Sequence, residues 1–249
     1  MVGQTSCVLV DVGNSQIKWL EVSQADTSVW GMQQYCARSG EALVASLKSA
    51  GLSPQPVFVS SVAGELFNAE LTAAMRAAGW ESPHFAVSQG ALLGVTNSYS
   101  EPSRMGVDRW LAMLASWSRA APACVVVDAG TALTIDMLDN CGVHTGGYIL
   151  PGVDLMESVL TRETQRVRFS DSAERTLRPG QSTAQCVSSG IWLATYAAVQ
   201  TVLSANPNHR VLVTGGGARA LLDLGVDGEW RPLLVLEGLY IHAQTLTKG

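Results

Sequence analysis

The chain has 249 residues, of which 47% are hydrophobic and only 15% charged, with a net charge of −5 at pH 7. That composition supplies ample material for a buried core and excludes a disordered chain, which needs low hydrophobicity and high net charge. The acidic balance gives no general attraction to nucleic acid or to an anionic membrane surface, so neither is expected as a partner.

Taken in chain order, Cys7 to Val10 is an apolar run that predicts a buried strand ending in Asp11-Val12-Gly13-Asn14, and Ser15 to Val22 predicts the returning strand of a hairpin. Gly40 to Ala50 predicts a helix with Leu43, Val44 and Leu47 on one face. Val57 to Ser60 reads as a strand, and Glu65 to Ala78 as a helix stopped by Gly79. Gly106 to Arg119 predicts a helix, with Trp110, Leu111, Leu114 and Trp117 at helical spacing. Pro122 breaks the chain and the pattern restarts: a strand over Val125 to Asp128, one over Ala132 to Leu138, a turn at Asp139-Asn140, and a strand over Val143 to Leu150. A helix follows Pro151-Gly152. Arg162 to Gly180 reads as polar and irregular, and its Arg162, Arg166 and Arg168 as solvated. Ser182 to Ser204 predicts a long helix, Arg210 to Thr214 a strand ending in Gly215-Gly216-Gly217, and a final helix starts near Glu237. Strands alternating with helices predict the α/β class. The natural boundary is near Pro122, giving domains over 1–121 and 122–249.

The five cysteines (Cys7, Cys36, Cys124, Cys141, Cys186) form no C-x-x-C pair, so neither a disulfide framework nor a zinc site is expected, and Cys7 and Cys124 read as buried small hydrophobes. The four histidines are far apart in sequence and give no reason to expect a Ser–His relay. The longest apolar runs, such as Cys124 to Val127, are short for a bilayer, and Asp11 falls where the apolar core of a leader would have to be, so a cytoplasmic location is expected.

One phrase occurs twice: CVLVDVGNS from Cys7 and CVVVDAGTA from Cys124. In each, a strand delivers an aspartate, and the glycine is expected to make a tight turn with positive φ and close backbone approach. Asn14, Ser15 and Thr131 then offer donors to phosphate oxygens. A carboxylate does not bind phosphate; it would hold the cation that neutralises it. D-x-G is by itself an efficient hairpin turn. Two copies after near-identical strands, with a third glycine-rich strand end at Val213 to Gly217, point instead to two similar halves gripping one polyphosphate.

This trio resembles the acetate and sugar kinase, Hsp70 and actin superfamily, whose fold is two similar ribonuclease H-like domains with the nucleotide cleft between them. Within it the chain resembles type III pantothenate kinase. Asp11 to Lys18 resembles the family's D-x-G-N-[ST]-x-x-K, Gly106-Val107-Asp108-Arg109 its G-x-D-R, and Asp128-Ala129-Gly130-Thr131 its second phosphate motif. Gly146 to Gly152 resembles G-G-x-I-x-P-G, and Thr183 followed by Ser189-Gly190 resembles a T-x-x-x-x-x-S-G helix start, although Ser182 stands where the family usually has Asn.

The resemblance implies transfer of the γ-phosphoryl group of ATP to pantothenate, the first step of coenzyme A biosynthesis. The alternative it leaves open is a nucleotide-binding transcriptional accessory factor with little kinase activity. It implies Asp108 as catalytic base and ATP contacts from Asp11, Val12, Gly13, Asn14, Ser15, Gln16, Ile17, Lys18, Thr131, Gly215 and Gly216. Acceptor contacts would come from Tyr99, Gly106, Val107, Asp108, Arg109 and Thr183. It further implies Mg²⁺ facing Asp11, a potassium or ammonium ion near Asp128, and a homodimer in which Thr183 reaches the neighbour's acceptor site. Blander roles stand beside these. Asp108 suits a helix N-terminus, Arg109 a surface salt bridge, Ser182-Thr183 a helix cap, and Lys18 a solvated strand position.

Overall fold

The structure, a computed structural model, describes residues 6–22, 33–35, 39–118, 122–163 and 175–246. Cys36, Arg166, Arg168 and most of the stretch expected to be irregular lie outside these residues. The chain forms two compact units: Met1–Leu92, Tyr99–Ala115 and Leu234–Gly249 make the first, Leu93–Ser98 and Ser116–Leu233 the second.

The first unit is built on β1 (Cys7–Val12), β2 (Ile17–Val22), β3 (Gln33–Tyr35), α1 (Gly40–Ser49), β4 (Val57–Ser61), α2 (Glu65–Ala77), β5 (His84–Phe85) and the start of α3 (Val107–Ser118). Its sheet has the order β3-β2-β1-β4-β5, antiparallel through β3, β2 and β1 and parallel from β1 to β5. Val8, Leu9 and Val10 are fully buried, which explains the unbroken apolar run: a central strand covered on both faces has no polar side to show. Val8, Val10 and Val12 pack with Leu43, Val44 and Leu47 of α1 and with Phe67, Leu71 and Met75 of α2. Ser39 Oγ caps α1 by accepting from the Ala42 amide.

The second unit repeats the plan with β6 (Cys124–Ala129), β7 (Ala132–Leu138), β8 (His144–Pro151), α4 (Val153–Glu163), α5 (Thr183–Ala205), β9 (Arg210–Thr214), α6 (Ala218–Asp223) and β10 (Glu229–Trp230). The sheet order is β8-β7-β6-β9-β10, again antiparallel on one side of the central strand and parallel on the other. At the turn expected after Leu138, Asp139 Oδ1 accepts from the Cys141 and Val143 amides at 2.8 Å each. By length and composition alone α5 could cross a membrane. Its Trp192, Val199 and Val202 pack instead with Val125, Val127, Leu133, Ile135 and Val213 in the core of this unit. Arg162, expected in an irregular stretch, belongs to α4.

The last helix, α7 (Leu234–Leu246), starts three residues before the expected Glu237 and belongs to the first unit, where it packs on β1 and β4. A side chain at Gly238 would collide with the Leu111 carbonyl oxygen of α3, so only glycine permits this helix crossing. The two units are therefore not the halves on either side of Pro122. The short β3, β5 and β10 and the six-residue α6, with no periodic stretch long enough to announce them, have no counterpart in the sequence reading.

Candidate active site

In the first unit the β1–β2 hairpin pairs Asp11 with Lys18 directly across the sheet, and Val12 with Ile17 around the turn, whose Gly13 amide donates to Gln16 O at 3.0 Å. Directly opposed residues share a face, so Lys18 stands beside Asp11 rather than as an isolated strand lysine. On the other side the parallel register sets Ser60 beside Asp11, and Ser60 Oγ donates to Asp11 Oδ1 at 3.1 Å. The Asp11 carboxyl is pushed up to about 6, first by burial and also by the Asp108 charge, while Lys18 and the Ser60 hydroxyl pull it down.

Asp108 lies in the first turn of α3, where the helix dipole favours a carboxylate. Its Oδ1 accepts from the Arg109 amide at 2.8 Å. A Cβ on Gly106 would come within 2.6 Å of that same oxygen, so the glycine of G-x-D-R leaves room for the aspartate two residues on. The preceding loop is held by Ser88 Oγ, which donates to Met105 O at 2.9 Å. Val107 is buried. Arg109 is 7% exposed, which overturns the surface-pair reading, and its Nη1 donates to Tyr99 Oη at 2.8 Å. The first unit thus gathers Asp11, Lys18, Ser60 and Asp108, with Arg109 and Tyr99 joined beside them. Ser60 is the one among them that the sequence reading omitted; its signal is the strand end that falls in register with Asp11.

In the second unit Asp128 is the last residue but one of β6, opposite Thr134 on β7 and Thr214 on β9. The Gly130 amide donates to Ala132 O at 3.1 Å and closes the hairpin turn that exposes Thr131. Neither Gly13 nor Gly130 has positive φ, contrary to expectation; both turns close without leaving the ordinary region. The demand falls on Gly215 instead, at φ +87°, where a side chain would overlap Asp128 Oδ1 and lie 2.6 Å from the Ala129 carbonyl carbon. The Gly217 amide donates to Ala129 O at 2.8 Å, tying the glycine loop to the hairpin, and Gly216 is exposed with open space beside it. The last glycine of G-G-x-I-x-P-G has its own reason. Gly152 donates to Thr131 O at 2.9 Å, and a Cβ there would lie 2.6 Å from the same oxygen. The N-terminus of α4 is thereby seated against the second hairpin.

Thr183 is exposed as the first residue of α5, and Ser182 Oγ caps the helix by accepting from the Gln185 amide at 3.3 Å. The cap falls to Ser182 and leaves the Thr183 hydroxyl for other use. Cys7 and Cys124 are buried, and burial pushes their thiols up to about 11 and about 12, as expected of inert packing residues.

Two five-stranded sheets of one topology, each presenting an aspartate at the end of its central strand, define the acetate and sugar kinase, Hsp70 and actin class. Solved structures agree on this fold. A Campylobacter jejuni protein assigned to the Baf family of transcriptional activators covers 97% of this chain and 100% of its own, at 22% identity and a TM-score of 0.62. A Sinorhizobium meliloti protein assigned as a 2-dehydro-3-deoxygalactonokinase covers 96% and 98% at 14% identity and a TM-score of 0.60. MreB5 of Spiroplasma citri bound to AMPPNP covers 99% and 98% at 10% identity and a TM-score of 0.52. At such identities only the fold is shared, so the first of these lends no weight to a transcriptional role.

Sequence likeness is more specific. A family profile described as type III pantothenate kinase matches residues 7–205. A type III pantothenate kinase of Marinobacter nauticus is 36% identical over 236 residues, covering 93% of this chain and 96% of that one. Another from Thiobacillus denitrificans is 37% identical over 248 residues, covering 97% and 98%. The chain belongs to the type III pantothenate kinase family, and is an enzyme of the kinase class.

Proposed function

We propose that the chain transfers the γ-phosphoryl group of ATP to the primary hydroxyl of pantothenate, giving 4′-phosphopantothenate. The observation that carries the assignment is the pair of carboxylates in the first unit, Asp108 at the helix start and Asp11 within reach of its charge. Phosphoryl transfer asks for positioning and charge neutralisation more than covalent chemistry. Asp108 accepts the proton of the attacking hydroxyl and orients it. Arg109 makes charge-assisted bonds to the acceptor's carboxylate, with Tyr99, Gly106 and Val107 beside it. The turn from Val12 to Lys18 and Thr131 bind the phosphates, while Gly215 and Gly216 receive the adenosine.

Mg²⁺ fits Asp11. A buried oxygen ligand beside a second carboxylate has a charge that a hard cation would offset. When bound, that ion neutralises phosphate oxygens. The reading also assigns potassium or ammonium to Asp128, a carboxylate hemmed in by glycine backbone. It assigns the enzyme to the cytoplasm, where ATP is abundant.

A homodimer belongs to the same reading. Tyr148, Ile149, Leu155, Val159, Leu160 and Leu193 of the second unit are large apolar residues left exposed on the single chain. Such a surface favours a two-fold partner, and Thr183 would then reach the neighbour's acceptor site. Light scattering is expected to give a dimer, and a monomer removes this part. Under subunit exchange, Asp108→Asn and Thr183→Arg chains regain activity on mixing if each site draws on both chains, and stay inactive if one chain supplies both residues.

ADP release measured with and without pantothenate tests the activity itself. Acceptor-dependent release is the expected result. Acceptor-independent release would make the chain a hydrolase, and no release would return it to a regulator.

A further inference from the structure

Arg219 and Trp230, which belong to none of the motifs, are stacked on the surface of the second unit. Arg219 Cζ lies 3.7 Å from the centroid of the Trp230 ring, a close cation–π contact. Both residues are exposed, Trp230 to 40% even with the guanidinium over it. Arg219 is the second residue of α6, three positions after Gly216. The stack therefore follows directly on the glycine loop, where Gly215 and Gly217 are pressed on Ala129 while Gly216 is exposed with open space beside it.

The indole is anchored from behind. Trp230 stands in register with Val213 on β9, and the next residue, Arg231, donates its amide to Val213 O at 2.8 Å. Glu229, on the other side, accepts from Arg210 and, at 3.2 Å, from Nη1 of the buried Arg231. A Cβ on Gly228 would come within 2.8 Å of the Val213 side chain, so the approach to β10 is tight as well. A guanidinium stacked by one face on a ring keeps the other face for a second planar group.

Nucleobases are such groups, and they stack on aromatic rings and on arginine alike. We infer that Arg219, held flat by Trp230, is the shelf on which the purine base of the nucleotide stacks. The inference rests on the proposed reading of Gly215 and Gly216 as the adenosine end of the site. Stacking reads the face of a base and not its edge. The shelf therefore favours purines, whose two rings cover it, over pyrimidines, and does not distinguish adenine from guanine. An arginine aimed at phosphate would use its charge and its fork of N–H donors, and would have no use for an indole beneath it.

Calorimetric titration of the full chain with ADP, CDP and inorganic tripolyphosphate tests it, using Arg219→Gln, Arg219→Lys and Trp230→Leu. Both residues are exposed, so the variants fold, and their Tm checks this. ADP should bind Arg219→Gln about tenfold more weakly than the wild type, the lower part of the range for base stacking. Trp230→Leu should weaken ADP in the same direction, and Arg219→Lys should fail to restore it, because an ammonium has no plane. Tripolyphosphate should bind Arg219→Lys and Trp230→Leu within about twofold of the wild type, since both keep the charge. The wild type should prefer ADP to CDP, and the preference should narrow in Arg219→Gln. Undiminished ADP binding in Arg219→Gln, or full affinity in Arg219→Lys, overturns the shelf and spares the reading of the glycine loop. A wild type that binds CDP as tightly as ADP overturns it too. Parallel losses for ADP and tripolyphosphate also overturn it, as the mark of a phosphate contact or, with a lowered Tm, of a merely structural stack. A wild type that binds no ADP removes the reading of the nucleotide site and the inference with it.

Discussion

Asp11 and Asp128 occupy the same place in two sheets of the same order, and their surroundings differ. Each has a hydroxyl residue in register on the parallel side, Ser60 for Asp11 and Thr214 for Asp128. On the antiparallel side Asp11 faces Lys18, whereas Asp128 faces Thr134. The first hairpin therefore sits among charged groups: burial pushes the Asp11 carboxyl up to about 6, with Lys18 drawing it down and Asp108 adding to the rise. The second sits among glycine backbone, with Gly130 and Gly215 against its carboxylate. One scaffold used twice thus surrounds one aspartate with charged side chains and the other with glycine backbone.

The comparison breaks most visibly at Asp108, which has no counterpart described beside Asp128. Asp108→Asn keeps the shape and loses the proton acceptor, so kcat should fall by roughly 10²–10⁴-fold with the Tm nearly unchanged. Full turnover in that variant would strip the first unit of its catalytic role.

Asp128→Ala probes the other side. Activity in potassium should drop roughly tenfold or more, as for loss of one preorganised electrostatic group. The wild-type enzyme should show a comparable drop when potassium is replaced by a bulky organic cation at equal ionic strength. Equal rates in the two salts would reduce the effect to screening, which depends on ionic strength and not on ion identity.

Gly215→Ala tests whether the second site is built by backbone. Alanine at φ +87° with its Cβ against Asp128 and Ala129 should cost on the order of 1–3 kcal/mol in urea unfolding. KM for ATP should rise as well, while KM for pantothenate stays. Unaltered stability would mean that the loop relaxes freely.

The smallest effect concerns pH. The folded Asp11 carboxyl, at about 6 against an ordinary 3.8, keeps its proton where the unfolded chain has lost it. Stability should therefore fall as pH rises from about 4 through 6, and Asp11→Asn should abolish that slope and be the more stable protein at pH 8, by on the order of 1–2 kcal/mol. Activity runs the opposite way. If Mg²⁺ sits on the ionised Asp11 carboxylate as proposed, kcat/KM for MgATP should decline as pH drops through about 6. Removing the Asp108 charge should move the acid limb of magnesium–nucleotide binding to lower pH, and an unmoved limb would separate the two carboxylates.

Local pattern was enough for much of this protein. The apolar runs before Asp11 and Asp128, the helical spacing of Trp110, Leu111 and Leu114, and the glycine strand end at Gly215 each report on neighbours a few residues away, and periodicity carries that information. The principal helices and the central strands follow from it, and so do the two hairpins. Tertiary structure decided the rest. The return of α7 to the first unit depends on Gly238 meeting Leu111, and the setting of Asp11 depends on Ser60. The tight glycine turned out to be Gly215 and not Gly13 or Gly130. The hydrogen bonds that His144 makes with Asp136 and Ser98 join residues from three separate segments. Each of these is a contact between residues distant in the chain, formed only when sheet register and helix crossing bring them together, and no local spacing encodes such a meeting.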